Sequence, residues 1–389
     1  ARRHQPTLAV GAHLKNTVAL MIGRNAFLSQ HIGDLETFEA YEAFKRVIAD
    51  LSRLYETRPS RFVCDLHPDY LSTHYAQLAS ENPVEVQHHV AHVAACMADN
   101  DLQGRVLGVS WDGTGYGTDG TVWGGEFFVN TAGAFTRVAT FRQFRLGGGE
   151  RAIKEPRRSA LGVLFEMMNE EAFKNDTLAP VAAFSREDLS LVGRMLHRKV
   201  NSPLTSSVGR LFDAVASLVG LRQVVRHEGQ AAMELEFAIE SEDTTDAYPF
   251  TLSSRDAGGS EGGLLVIDWE PMIAALLDDL QQEVKLAQIA ARFHNMLVEA
   301  VVAVAERIGE ERVVLSGGCF QNKYLTERLI AHLRQAGFRP YWHQRVPPND
   351  GGIALGQLYV ATAGGTEVRK QQTPGVRRGD ALVRGAEVL

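Results

Sequence analysis

Val86-Gln-His-His-Val-Ala-His-Val-Ala-Ala-Cys96 is the stretch on which the reading of the chain turns. His88 and His92 stand four residues apart, close to one helical turn, so their imidazoles lie on one face, one above the other. Val86, Val90, Val93 and Met97 also repeat at helical spacing and form a stripe on roughly the opposite face. The pattern predicts a helix whose valine side packs inward while the histidine pair looks into a cleft. His89, between the two, points elsewhere and is not expected to be a ligand. Two neutral imidazoles at i, i+4 suit zinc or iron. Alone, H-x-x-x-H more often marks surface or hydrogen-bonded histidines, so the choice falls to the rest of the chain.

Before this helix, residues 8–10, 17–22 and 26–30 read as strands. Lys15, in the loop after Gly11, sits where a phosphate could be met. A helix is expected over 35–55, with Phe38, Tyr41, Phe44, Val47, Ile48, Leu51 and Leu54 on one face. A strand over 61–65 and a helix over 70–79 complete an α/β lobe within residues 1–105.

The second lobe, residues 106–362, opens the same way. Its strand over 106–112, glycine turn over 113–120 and returning strands over 121–129 and 135–140 suggest an internal duplication. Residues 146–263 read as a mainly helical insertion. A long helix over 286–308, a strand over 313–316 and a helix over 323–335 follow, and residues 363–389 read as a loose tail.

Three glycine turns could meet phosphate: D112-G-T-G-Y-G117, L146-G-G-G-E150 and L315-S-G-G-C-F-Q-N322. None is a Walker loop or a dinucleotide fingerprint, and each alone is weak evidence. Together, in two duplicated lobes, they suit a nucleotide held between lobes. Asp213 could face a ribose hydroxyl or be an ordinary exposed acid, and Glu228 stands in the same position. Asp350 could reach a cleft mouth or merely cap a helix. Asp112 and Asp350 would give the histidine pair oxygen ligands.

The 389 residues exceed one ordinary core, which fits two lobes. A net charge of −7 offers no general attraction for nucleic acid or membrane, leaving residues 151–158 as a local basic patch. Three cysteines, Cys64, Cys96 and Cys319, without C-x-x-C, fit a reducing cytoplasm rather than a disulfide frame or zinc ribbon. No apolar run approaches about 18 residues, and no secretory h-region is seen.

At this point a family becomes recognisable. V10-G-A-H-L-K-N16, A26-F-L-S-Q-H-I-G-D-L-E36, V86-Q-H-H-V-A-H92, W111-D-G-T-G-Y-G117, S207-V-G-R-L-F-D-A-V215, E228-G-Q-A-A232, L315-S-G-G-C-F-Q-N322 and P348-N-D-G-G352 follow one another in order. The set resembles the C-terminal, Kae1-like domain of HypF, the carbamoyltransferase of [NiFe]-hydrogenase maturation, over residues 7 to about 362. The resemblance implies an α/β, two-lobed actin-like and Hsp70-like nucleotide-binding fold with a helical insertion. It implies transfer of a carbamoyl group from carbamoyl adenylate to the C-terminal cysteine of HypE, as precursor of the cyanide ligands. It implies one divalent metal, zinc or iron, on His88, His92 and Asp350, with Asp112 beside it. The AMP part of the adenylate, or ATP with magnesium, would meet Gly113, Thr114, Gly115, Gly147, Gly148, Gly149, Gly209, Asp213, Glu228, Gly317, Gly318 and Asn322.

The acylphosphatase-like, zinc-finger and YrdC-like modules of full-length HypF have no counterpart in this sequence. A natural short form or a piece of a longer chain is expected, with adenylate supplied in trans by a YrdC-like domain or by full-length HypF. Competing readings are tRNA threonylcarbamoyl transfer, an actin-fold kinase or ATPase, and a non-catalytic docking module. A nucleophilic role for Cys319 is disfavoured, because the partner already supplies a thiol.

Overall fold

A computed structural model describes residues 5–240, 242–255 and 263–362; the tail expected after 363 lies outside them. Strands β1 (Thr7–Ala9), β2 (Ala19–Ile22) and β3 (Asn25–Leu28) run antiparallel. Then come α1 (Phe38–Leu54), β4 (Arg61–Asp65), α2 (Leu71–Ala79), β5 (Val84–Val86) and α3 (His88–Asp99). β4 pairs parallel with β1 and β5 with β4, giving the order β3-β2-β1-β4-β5. α1 buries Phe44 and Ile48, but Phe38 and Leu54, at its two ends, are 74% and 71% exposed. The expected apolar face is therefore narrower than its period suggested.

The second half opens with β6 (Val106–Tyr116), β7 (Val122–Thr131), β8 (Ala134–Phe141) and β9 (Phe144–Arg145). Four helices follow: α4 (Arg151–Lys154), α5 (Pro156–Met168), α6 (Ala179–Ala182) and α7 (Arg186–Arg198). Next are β10 (Leu204–Thr205), α8 (Val208–Leu218), α9 (Gln230–Phe237), β11 (Thr251–Arg255) and β12 (Leu264–Asp268). The chain continues through α10 (Glu270–Gln281), α11 (Leu286–Ile308), β13 (Arg312–Ser316), α12 (Lys323–Gln335), β14 (Arg339–Tyr341) and α13 (Ile353–Thr362). In this sheet β8-β7-β6-β13-β14 repeats the order and strand senses of β3-β2-β1-β4-β5. The two-lobed α/β fold is thus the actin-like, Hsp70-like architecture that the motifs implied. The inserted stretch is not helical throughout. Its β11 pairs with β12, which extends the sheet beyond β8, and β10 pairs with β7 and β9.

Residues 112–116 do not turn. β6 runs on to Tyr116, with a register shift between Trp111 and Gly115 that leaves residues 112–114 bulged opposite β7. The reversal comes later, where the Gly120 N–H donates to Gly117 O at 3.1 Å and the Gly117 N–H to Thr121 O at 3.0 Å. The basic patch is also altered. Arg151, Arg157 and Arg158 converge on the buried Glu155 carboxylate, so part of its charge is spent internally.

α3 is buried from His88 to Met97, not on its valine side alone. It packs on β6 and β13 of the second sheet, while α13, from the far end of the described chain, covers β1 to β5 of the first. The two helices meet at Gly356, where a Cβ would stand 1.8 Å from Ala91 O. A buried amide completes the clasp: Gln357 Oε1 accepts from the Gly11 N–H at 2.9 Å and its Nε2 donates to Gly11 O at 3.2 Å. Gly356→Ala must push the helices apart, and overpacking of this kind costs about 1–3 kcal/mol. We expect a melting temperature lower by several degrees in calorimetry; an unchanged value would refute the close approach. Among the described residues, no helix is long and apolar enough to cross a membrane.

Candidate metal and nucleotide site

The histidine helix begins at the edge of the first sheet. Gln87 Oε1 caps it, accepting from the Val90 N–H at 3.0 Å. This sets His88 and His92 into the space between lobes. His88 Nδ1 lies 2.7 Å from Oδ2 of Asp65, a fully buried carboxylate at the end of β4. The contact places the ring proton on Nδ1 and turns Nε2, which has no hydrogen-bond partner, toward the cleft. Two further carboxylates close the set. Asp112 comes from the β6 bulge. Asp350 comes from the turn before α13, and there it is Asn349 that caps, accepting from the Gly351 N–H at 3.0 Å. The Asp350 carboxylate is thereby released to face the histidines.

His88 Nε2 lies 3.5 Å from both Asp112 Oδ2 and Asp350 Oδ1. His92 Nε2 lies 3.3 Å and 3.6 Å from the same two atoms. All four donor atoms fall within 4.8 Å of one another. Ligands 2.0–2.2 Å from a tetrahedral ion stand about 3.3–3.6 Å apart, so these spacings fit zinc or iron. Nitrogen and oxygen donors without sulfur also suit either metal.

The electrostatics follow from burial and opposite charge. Burial pulls His88 down, but Asp65, Asp350 and Asp112 outweigh it and hold the imidazole well above its usual value. His92 is raised against the same burial by Asp112 and Asp350. Burial works against ionised Asp112 and Asp350 too, yet the two histidines hold Asp112 well below the carboxylate range and Asp350 at about 2. Protons and a cation therefore compete for the same imidazole nitrogens. Metal affinity is expected to rise with pH through the ordinary histidine value and above it, by about tenfold per unit for each proton displaced. Zinc titrations between pH 6 and 8 test this; a flat profile would exclude the two imidazoles as ligands. His89, as expected, stays out of the set. Its Nδ1 meets Gln87 Nε2 at 3.1 Å, and burial, then His88, pushes it well below the usual value.

A glycine-lined cleft adjoins the cluster. Asp112 Oδ1 accepts from the Gly318 N–H at 3.1 Å, so one carboxylate serves the histidines and the β13 turn together. Gly317 has φ +104°, and a Cβ there would lie 2.1 Å from Trp111 O, which restricts the position to glycine. α8 presses on the bulge: Ser207 Oγ donates to Asp112 O at 2.8 Å, and a Cβ on Gly209 would stand 2.8 Å from Gly113 Cα. Glu228 borders Gly113 and is ion-paired with Lys15 of the first lobe, across the cleft. Asp213 is buried rather than exposed, 2.8 Å from Arg210. Burial, then Asp112, pushes the Cys319 thiol well above its usual value, which disfavours its thiolate form.

The other expected nucleotide residues lie differently. Thr114 sits in the bulge. Gly115 underlies the histidines, since a Cβ there would meet His89 Cε1 at 2.4 Å. Gly147, Gly148 and Gly149 pack against Val192, Arg158 and Asn201. No contact found for these three glycines among the described residues reaches the four-donor cluster. Asn322 Oδ1 caps α12, accepting from the Leu325 N–H at 2.8 Å, and its Nδ2 meets His294 Nε2 at 2.9 Å. Asp65 and Arg210 were missed. For Asp65 the signal was an acid at the end of an apolar parallel strand, where such sheets bind ligands; Arg210 gave none beyond its place inside a motif.

Residues 2–99 match the HypF Kae1-like domain, and residues 108–357 match the Kae1-like domain, second subdomain, of carbamoyltransferases. The chain belongs to the HypF family. It is 42% identical over 364 residues to carbamoyltransferase HypF of Synechocystis, covering 90% of this chain and 46% of that protein. It is 34% identical to a HypF homolog of Cupriavidus necator, with 95% of each chain covered. Full-length HypF, crystallised in its phosphate- and nucleotide-bound form, superposes with a TM-score of 0.85 at 40% identity, over 92% of this chain and 55% of that one. The chain spans about half the length of most of the curated HypF relatives it matches.

Proposed function

We propose that this chain performs the transfer half of HypF chemistry. It holds carbamoyl adenylate between the lobes and passes the carbamoyl group to a partner thiolate, that of the C-terminal cysteine of HypE. The observation that carries the reading is Asp112. Its two oxygens join the four-donor cluster to the Gly317–Gly318 turn, so a metal-binding set and a phosphate-type turn share one residue.

Zinc or iron on His88, His92, Asp112 and Asp350 would supply Lewis-acid polarisation of a phosphate or carbonyl oxygen. Asp65 keeps His88 in the tautomer that offers Nε2. The Lys15–Glu228 pair bridges the two lobes at the cleft mouth. In the transfer the thiolate sulfur bonds to the carbonyl carbon, the carbon–oxygen bond to phosphate breaks, and AMP leaves with the electron pair. No proton need move to an internal base, which agrees with a site built from donors and amides.

The test is carbamoylation of HypE followed by mass spectrometry. With carbamoyl phosphate and ATP, this chain alone is expected to leave HypE unmodified. Adding a YrdC-like domain, or full-length HypF disabled at its own metal histidines, should place one carbamoyl group on the terminal cysteine. Equal modification by the chain alone would refute the division of labour. A silent mixture, where intact HypF works, would reduce the chain to a docking module.

A further inference from the structure

One buried side chain at the cleft is left without a task by the adenylate reading. Arg210 lies in the first turn of α8, 4% exposed, and its Nε and Nη1 have no hydrogen-bond partner. Unsatisfied donors on a buried cation are costly, and such groups ordinarily find an acceptor. Asp213, one turn on, does not meet the need. It approaches Nη1 at 2.8 Å without hydrogen-bond alignment, and its Oδ2 is itself unpartnered. Burial, only partly countered by Arg210, pushes the Asp213 carboxyl up to about 6.

The remaining nitrogen, Nη2, looks onto Gly113. A Cβ added at Gly113 would stand 3.7 Å from Nη2 and 4.0 Å from Glu228 Oε1, with no nearer neighbour among the described residues. A gap that would take a methyl at ordinary contact distances is thus left between Gly113, Arg210 and Glu228. Asp112, the preceding residue, reaches from the same bulge to the histidines and to the Gly318 amide. The gap adjoins both the metal donors and the glycine turn.

We propose that Arg210 receives the phosphate of the nucleotide in this gap; the proposal rests on the reading that an adenylate binds between the lobes. A phosphate oxygen beside Gly113 is placed to accept from Nη2, the guanidinium nitrogen that faces it. Arginine keeps its charge at any working pH and offers a planar fork to phosphate. The phosphate of carbamoyl adenylate carries one negative charge. When the sulfur–carbon bond forms and the carbon–oxygen bond breaks, the departing AMP gains a second charge on that same phosphate. A cation fixed beside it holds the product side of the reaction more tightly than the substrate side, which is the condition for assisting the transfer.

Calorimetry with AMP and with adenosine isolates the phosphate. The unaltered protein should prefer AMP. Arg210→Gln should lose about ten- to hundredfold in AMP affinity and little in adenosine affinity, and Arg210→Lys should recover part of the loss. Equal losses for both ligands, or no loss, would overturn the proposal, because a merely structural arginine does not sense the phosphate. Should Arg210→Gln fail to fold, Gly113→Ala decides. Its methyl fills the gap at ordinary contact distances, so the fold is kept and AMP binding should fall; unchanged AMP affinity there overturns the proposal. Adenosine bound as tightly as AMP by the unaltered protein would remove the role of Arg210 and leave the nucleotide reading standing. Binding of neither ligand would remove both.

Discussion

His92→Ala is expected to release the metal and to lower carbamoyl transfer by more than about a hundredfold, since loss of a mere orienting partner already costs 10–100-fold in metal sites. The fold should survive. His92 Nδ1 has no hydrogen-bond partner, so its removal strands nothing on that side, and the Nε2 side loses only its share of Asp112 and Asp350. His88→Ala should empty the site as well, at a further cost. It leaves the Asp65 carboxylate buried without its imidazole, and breaking a buried charged pair costs about 3 kcal/mol or more. Metal analysis and thermal melts on the two variants separate the effects. Both should lose the ion, and only His88→Ala should melt much earlier. Full metal occupancy in His92→Ala would disprove the ligand assignment, and equal melting points would disprove the part given to Asp65.

Asp112→Asn should be nearly as damaging, for a reason visible in the geometry. The carboxylate gives Oδ1 to the Gly318 N–H and Oδ2 to the two histidines. An asparagine has one oxygen for these two duties. If that oxygen stays on Gly318, the amide nitrogen faces the imidazoles and cannot ligate a cation. If it turns to the histidines, the NH2 meets the Gly318 N–H, donor against donor. The first arrangement strands fewer buried groups and should prevail. Metal would then be lost while AMP affinity falls by less than about threefold, and transfer should fall in parallel with His92→Ala. Retained metal would show that the histidines and Asp350 suffice.

The histidine pair and the two acids were legible because each sits in a short motif whose residue types fit the chemistry. The duplication was legible because strand, glycine and strand recur at the opening of both lobes. Three features lay beyond that reading. The bulge at residues 112–114 looks in sequence like a hairpin turn, since glycines serve both; only the pairing of Gly115 with Trp123 and of Tyr116 with Val122 shows that the strand continues. The burial of α3 on every side follows from α13, which arrives more than 250 residues later and leaves no period in the local sequence. The roles of Asp65 and Asn349 depend on which of two neighbouring polar groups takes the cap and which faces the cleft, a choice made by tertiary contacts.

The crossing of α3 and α13 also orders events in time. On the ribosome the first sheet emerges with α1 and α2, but the helix that covers β1 to β5 on its other face is almost the last described part of the chain to be made. Synthesis at about 5–20 residues per second leaves this apolar face waiting through the whole second lobe. The four-donor set must wait as well, because Asp350 and Gly356 lie close together after β14. The α3–α13 contact and the fourth donor thus depend on the same stretch of chain. A chain stopped short of Asp350 would have both histidines and Asp112 but not the fourth member of the set.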